Sequence, residues 1–368
     1  MLPYPIIFIL YPYKRTGDHG LMQEEILEGM AFIGEEFTPQ NVEIVIENGR
    51  ISEITERKTT STQWIVPAFF NAHTHIGDTV GMDTKIDRPL AELVAPPNGL
   101  KHRLLRETPA RRLVSAMQDT IAFMKATGTL GFADFREGGT SGVDLLNQAA
   151  DPSVGMVIFG RDGGEFSARG FGLSSAKGTK EEEETVRLAK AAGKLFAVHA
   201  GEAGVKDIDV AFSLEPDLII HATHFTGAHI REAADCDIPI VICPRSNWLL
   251  GATADSRRPP VREMLDAGCR VFLGTDNAMF VAPDMFAEAA FLQTIYKIDS
   301  GNILRMMTDG FSLLGRRNRI EAGGPADLLL LDGGYPGRWT QDPRTSLLNR
   351  VGSRGITRVI SGWNTNSL

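Results

Sequence analysis

Residues 69–79 read FFNAHTHIGDT. They close an apolar run, Trp64-Ile65-Val66-Pro67-Ala68-Phe69-Phe70, and then place two histidines one residue apart. A short apolar run bounded by polar residues predicts a buried strand over 65–70, with His73 and His75 just past its end. Side chains at i and i+2 of an extended segment share a face, so both imidazoles can grip one ion. Two satisfied histidines at a strand end would look the same, so the reading turns on whether the rest of the chain supplies partners.

The chain has 368 residues, 43% of them hydrophobic, and a formal net charge of −8. That length suits one large barrel or two ordinary domains. The acidic balance argues against nucleic acid as a partner, since a basic stripe is missing. Three cysteines, Cys236, Cys243 and Cys269, with no Cys-x-x-Cys, form neither a disulfide framework nor a cysteine zinc site, and fit a reducing, cytoplasmic setting. The opening MLPYPIIFILYPYKR has a short apolar patch with no basic residue before it. It reads as a strand or a packed segment, not as a signal peptide or a membrane span.

Residues 42–54, VEIVIENGRISEI, alternate on either side of Asn48-Gly49 and predict a hairpin. The segments 326–334 and 356–362 are also β-like. Between these ends, candidate strands fall at 65–70, 129–135, 154–160, 170–174, 195–200, 217–222, 238–243 and 270–275. Helical stretches separate them. Thr108-Pro109 opens one through about Lys125. Thr179 and Glu182 have capping-box spacing before another, and Asp284 can cap a third through Tyr296. Strand and helix alternating eight times predict an α/β fold, a (β/α)8 TIM barrel over 64–316. Residues 1–63 and 317–368 would pair into a small β-sandwich domain formed from both termini. An open doubly wound sheet is the alternative, weakened because no Gly-x-Gly-x-x-Gly follows the first strand.

In a barrel the C-terminal strand ends meet at one mouth. His73 and His75 fall at the first, His199 at the fifth, His221 and His224 at the sixth, and Asp276 at the eighth. His73, His75, His199 and Asp276 make a ligand set suited to zinc or another divalent transition metal. Glu202, in VHAGE, lies just past the fifth strand. A carboxylate there can take a proton from metal-activated water and pass it to a leaving group. On its own it is equally a first-turn glutamate at a helix start.

In this order, NAHTH, VHAGE, IIHATH, CPRSN and LGTDNAM resemble the amidohydrolase superfamily, and ENGRISEI and GGPADLLLLD resemble its β-sandwich. The likeness is to its mononuclear aminohydrolases, the cytosine, adenosine, guanine and adenosylhomocysteine deaminases. It implies hydrolysis of a non-peptide carbon–nitrogen bond in an amino-substituted heterocycle, with release of ammonia. It also implies one divalent metal, zinc first and iron or manganese otherwise, on His73, His75, His199 and Asp276. Glu202 would shuttle protons, Asp276 would direct the attacking oxygen, and the strand-six histidine would orient the water. His221 is expected in that last role, with His224 the alternative and otherwise a substrate residue. A bridging lysine on strand four is not in place, since neither Lys177 nor Lys194 falls there, so one metal is expected. A homo-oligomer is compatible with the resemblance.

The substrate is expected to be a small molecule. Arg161, Asn247, Trp248 and Asn277 follow barrel strands and are candidates to line its site, as are the charged groups of 135–139 and 160–165. Lys101 and His102 lie in a loop on the same side. The same ligands also suit a cyclic-amide ring opener of the imidazolonepropionase kind, a metal-dependent decarboxylase, or a barrel that only binds metal.

Overall fold

The computed structural model describes residues 24–363; the opening apolar segment and His19 lie outside the described residues. The N-terminal part forms β1 (Glu24–Ile33), β2 (Thr38–Glu47), β3 (Arg50–Glu56) and β4 (Gln63–Pro67). Next come β5 (Phe69–His75), β6 (Thr129–Arg136), β7 (Gly155–Gly160), β8 (Gly170–Leu173) and β9 (Leu195–Ala200). They are followed by β10 (Leu218–His221), β11 (Ile240–Ile242), β12 (Val271–Leu273) and β13 (Asp276–Asn277). The C-terminal part adds β14 (Leu328–Asp332) and β15 (Ile356–Ile360).

Both termini build one six-stranded sheet, in the order β15-β14-β4-β1-β2-β3. The expected hairpin joins β2 to β3, pairing Glu47 with Arg50. Asn48 and Gly49 take the positive φ values, 53° and 73°, that so tight a turn needs. The sheet curls until its edges meet. The Gly49 carbonyl accepts from the Ala326 N–H at 2.9 Å, and Gly49 abuts Gly362. The curled faces enclose a small core that includes Leu27, Ile44, Ile51, Ile65 and Leu328.

The strand expected over 65–70 divides in two. Gln63–Pro67 belongs to the small sheet, where β4 pairs with β1 and β14. Phe69–His75 is the first barrel strand, so His73 and His75 lie within it, not beyond it. The chain changes sheets at Pro67-Ala68, where the Ala68 N–H donates to the Asp327 carbonyl at 2.9 Å.

The larger sheet is parallel and runs from β5 through β12 in sequence order. The eighth barrel strand is broken. β12 pairs with β11, and β13, three residues on, pairs with β5 by setting Asp276 against Thr74 and Asn277 against His75. That exchange closes the ring. At the break, a Cβ on Gly274 would sit 2.7 Å from the His73 Cβ, so only glycine lets the last strand cross behind β5. The helix Ala110–Ala126 begins directly after Pro109. The Thr179–Glu182 capping box is formed, and Asp284 accepts from the Phe286 and Ala287 N–H groups. The Asp284-capped helix, Met285–Phe291, runs on into a π-helical turn, Leu292–Tyr296. No helix among the described residues is long and apolar enough to cross a membrane.

Candidate metal centre and active site

Four imidazoles and an aspartate gather at one end of the barrel. The His73 ring centroid lies 4.9 Å from those of His75 and His199 and 5.6 Å from that of His221. His73 Nε2 is 3.2 Å, and His75 Nε2 3.6 Å, from Asp276 Oδ1. Potential ligand atoms of His73, His75 and Asp276 lie within 4.8 Å of one another, as do those of His73, His199 and His221, and those of Glu202, His221 and Asp276. The floor is aromatic. The Phe135 ring is 4.5 Å from His73 and stacks on Phe159 at 4.7 Å.

Groups behind the imidazoles set their tautomers. His75 Nδ1 is 2.9 Å from the Phe135 carbonyl, and His199 Nδ1 is 2.9 Å from that of Leu173. A carbonyl only accepts, so each Nδ1 carries the hydrogen and each Nε2 offers a lone pair. His221 Nδ1 faces Asn247 Oδ1 at 3.1 Å, while Asn247 Nδ2 donates to Thr223 Oγ1 at 2.8 Å, which orients the amide. The Ser246 hydroxyl donates to Asp276 Oδ2 at 2.6 Å and leaves Oδ1 for the histidines.

Burial keeps the imidazoles neutral, bringing His73 down to about 4 and His75 to about 3. His199 is held well below the usual histidine range for the same reason, reinforced by the neighbouring histidines. Burial pushes Asp276 up, but the close approach of His73 Nε2 and the pull of the surrounding imidazoles outweigh that and hold it well below the carboxylate range. Neutral imidazoles beside an ionised carboxylate are the donor set a divalent ion takes.

Glu202 stands at the open side with Oε2 3.7 Å from His221 Nε2. It is pushed upward by burial first, against the opposing pull of His221. About a quarter of its side chain (24%) remains open, so that push is partial. Asp207 Oδ1 accepts from the Gly201 N–H at 3.0 Å and braces the turn that carries Glu202.

The backbone is bent to this purpose. His221 and Asp276 have φ of 76° and 65°, a left-handed conformation costing non-glycine residues about 1–3 kcal/mol each, which clusters at functional sites.

A cavity of about 400 Å³ opens over the cluster. His75, His199, Glu202, His221 and Asp276 line one side; Lys101, His102, Glu137, Arg161 and Asn277 line another. Leu90, Val94 and Pro96 add an apolar edge. Of the expected substrate residues, Arg161 and Asn277 reach this cavity. Asn247 braces His221 from behind, Trp248 Nε1 donates to the Tyr296 hydroxyl at 2.8 Å, and His224 is not among the lining residues. Lys177 does reach the wall, whereas Lys194 bonds to the Phe166 and Ala168 carbonyls, away from the cavity lining. Asn71, Ser246 and Glu137 hold site residues in place; the motifs give Asn71 and Ser246 no role beyond their position inside NAHTH and CPRSN, and Glu137, expected only as one of the charged groups of 135–139 that could line the site, follows β6.

The cluster fits a metal. Among the described residues, neither nitrogen of the fully buried His73 has a hydrogen-bond partner of good geometry. A bound cation would satisfy one of these donors, and orphaned buried nitrogens are otherwise costly.

A family model described as the amidohydrolase family matches residues 170–362. A protein of Methanothermobacter thermautotrophicus, named provisionally as an aminohydrolase, is 32% identical over 90% of this chain and 96% of its own length. A 5-methylthioadenosine/S-adenosylhomocysteine deaminase of Thermotoga maritima is 25% identical, with 87% of each chain covered. Among solved structures, an adenosine deaminase of Xanthomonas campestris with bound zinc shares the fold at a TM-score of 0.70 and 18% identity, covering 89% of this chain and 88% of that one. With a matching model over half its length and a relative alike nearly end to end, this chain belongs to the amidohydrolase family.

Proposed function

We propose that the chain hydrolytically deaminates an amino-substituted heterocycle of the nucleobase, nucleoside or pterin kind, releasing ammonia. The observation that carries this is Glu202, a carboxylate pushed toward its protonated form 3.7 Å from His221, at the mouth of an imidazole–carboxylate cluster. The likeness to named deaminases supports the same reaction. His73, His75, His199 and Asp276 would hold one divalent ion, zinc by preference. When bound, that ion supplies the Lewis acidity that makes water nucleophilic at neutral pH.

The remaining work belongs to the side chains. Asn247 holds the His221 Nδ1–H, so Nε2 accepts a hydrogen from the attacking water and points its oxygen at the carbon bearing the amino group. Glu202 gives a proton to the ring nitrogen beside that carbon, then takes the water's proton and passes it to the departing amine. As the carbon–nitrogen bond breaks, the remaining hydroxyl proton returns to Glu202, so water's oxygen stays on the carbon as the carbonyl, the nitrogen leaves as ammonia, and Glu202 ends protonated as it began. Asp276 Oδ1 accepts a hydrogen bond from the attacking oxygen while Ser246 fixes Oδ2. Arg161, whose buried Nε has no partner among the described residues, is placed to read an acceptor on the substrate. Asn277 Oδ1 accepts from Lys101 Nζ at 3.1 Å, which leaves the amide hydrogens for the ligand.

The test is an ammonia-release screen across aminopurines, aminopyrimidines, their nucleosides and aminopterins, on protein of measured metal content. Stoichiometric ammonia from one ring class is expected. Consumption of a cyclic amide without ammonia would replace deamination by ring opening.

A further inference from the structure

Glu137 lies beyond β6 with 4% of its side chain exposed, and four donors converge on its carboxylate. Oε1 is 2.9 Å from His75 Nδ1, 2.7 Å from Lys101 Nζ and 3.0 Å from Arg161 Nη2; Oε2 accepts from Arg136 Nη2 at 2.6 Å. His75 Nδ1–H is thus shared between Glu137 and the better aligned Phe135 carbonyl. The cations are as buried as the anion, with side chains 3–9% exposed.

Other anions compensate the group unevenly. Arg136 also meets Asp134 at 3.3 Å, whereas Lys101 is 3.9 Å from its second acid, Asp78, which burial drives toward the neutral form. Among the described residues Arg161 has no second ion pair. Glu137 is therefore the main neutralising charge for three cations, and it touches a proposed ligand of a dication. Three cations within 3.0 Å of its oxygens hold it ionised.

We propose that Glu137 is a positioning residue that sets metal affinity. It holds the ring of His75 from behind, and it cancels the positive charge that would oppose a cation at the neighbouring site. Removing it would leave the charges of Lys101 and Arg161 uncompensated beside the ion, with that of Arg136 behind them, and free His75 to turn. This rests on the metal site proposed above. Wild-type protein that takes up no metal would defeat that reading, whereas wild-type uptake with an indifferent Glu137 would defeat only this one.

The experiment is chelator competition for zinc on folded, metal-stripped protein, comparing wild type with Glu137→Gln and Glu165→Gln. Glu165 is an equally buried carboxylate on the same rim that accepts from the Gly163 N–H and touches none of the ligands. Glu137→Gln is expected to weaken zinc binding about 10–100-fold, the usual effect of losing a partner behind a ligand, with Glu165→Gln close to wild type. Wild-type affinity in Glu137→Gln overturns the assignment. So does an equal loss in Glu165→Gln, which would mark a general loosening of the rim. If Glu137→Gln does not fold, Glu137→Asp keeps the charge but withdraws it by one methylene. It should lose affinity at the lower end of that range, about tenfold, and wild-type affinity there is equally fatal.

Discussion

Asn71 and Thr275, 204 positions apart, exchange two hydrogen bonds at the seam of the barrel. Asn71 Nδ2 donates to Thr275 Oγ1 at 2.7 Å, and Asn71 Oδ1 accepts from the Thr275 N–H at 3.1 Å. Both residues are fully buried, and each sits one or two positions before a proposed ligand, His73 or Asp276. The clasp that closes the ring therefore also sets the distance between the two halves of the metal site. Asn71→Ala would remove both bonds and leave the Thr275 N–H on the His73 carbonyl alone, at 3.1 Å, a loss of about 1–3 kcal/mol for the two bonds. A urea melt should show that loss, and zinc titration should show weaker uptake. Unchanged stability and uptake would mean that the seam holds without it.

Glu202 touches substrate in the proposed reaction but lies outside the expected ligand set. Glu202→Gln should keep its metal and its melting temperature while turnover falls about 10²–10⁴-fold, the usual contribution of a positioned proton donor. Metal analysis alongside ammonia release checks both halves. An active, metal-replete Glu202→Gln protein would remove Glu202 from the mechanism.

Metal should stabilise the fold, because the ligands come from β5, β9 and β13 and meet only in the closed barrel. At a free concentration one hundred times its dissociation constant, a ligand of the native state adds about 2.7 kcal/mol. Chelation should lower the melting temperature of the wild type and leave that of His73→Ala/His75→Ala nearly unmoved. Equal shifts in the two proteins would place the ion elsewhere.

A pH dependence follows for metal-free protein. His73 and His75 are held at about 4 and about 3, against an ordinary 6.5. Below 6.5 the unfolded chain binds protons that the folded one refuses, so stability rises with pH through this window and falls on acidification. Denaturation from pH 7 down to 4.5 should show a loss that His73→Asn makes shallower. A flat profile would contradict burial as the cause of the neutral imidazoles.

Much of this was legible from the chain. His-x-His, the buried runs and the strand-end acids announce the barrel and the cluster of His73, His75, His199, His221, Glu202 and Asp276 because each reflects a local rule. The division of 65–70 was not legible, because β4 and β5 are both buried on two sides and one unbroken apolar run serves both. Pro67 is the only mark of the change. β1 escaped the pattern because EEILEGMAFI alternates only in its first half before Ala31 and Phe32 are buried in succession. The placing of Glu137 was not legible either. Its partners His75, Lys101 and Arg161 lie 62, 36 and 24 positions away, and only the closed ring brings them together.

The most direct test of the account is a crystal of the zinc-loaded protein measured on both sides of the zinc absorption edge. The account predicts one anomalous peak per chain, about 2.0–2.2 Å from nitrogens of His73, His75 and His199 and an oxygen of Asp276. A peak coordinated by other residues, or none in protein shown to carry zinc, would contradict it.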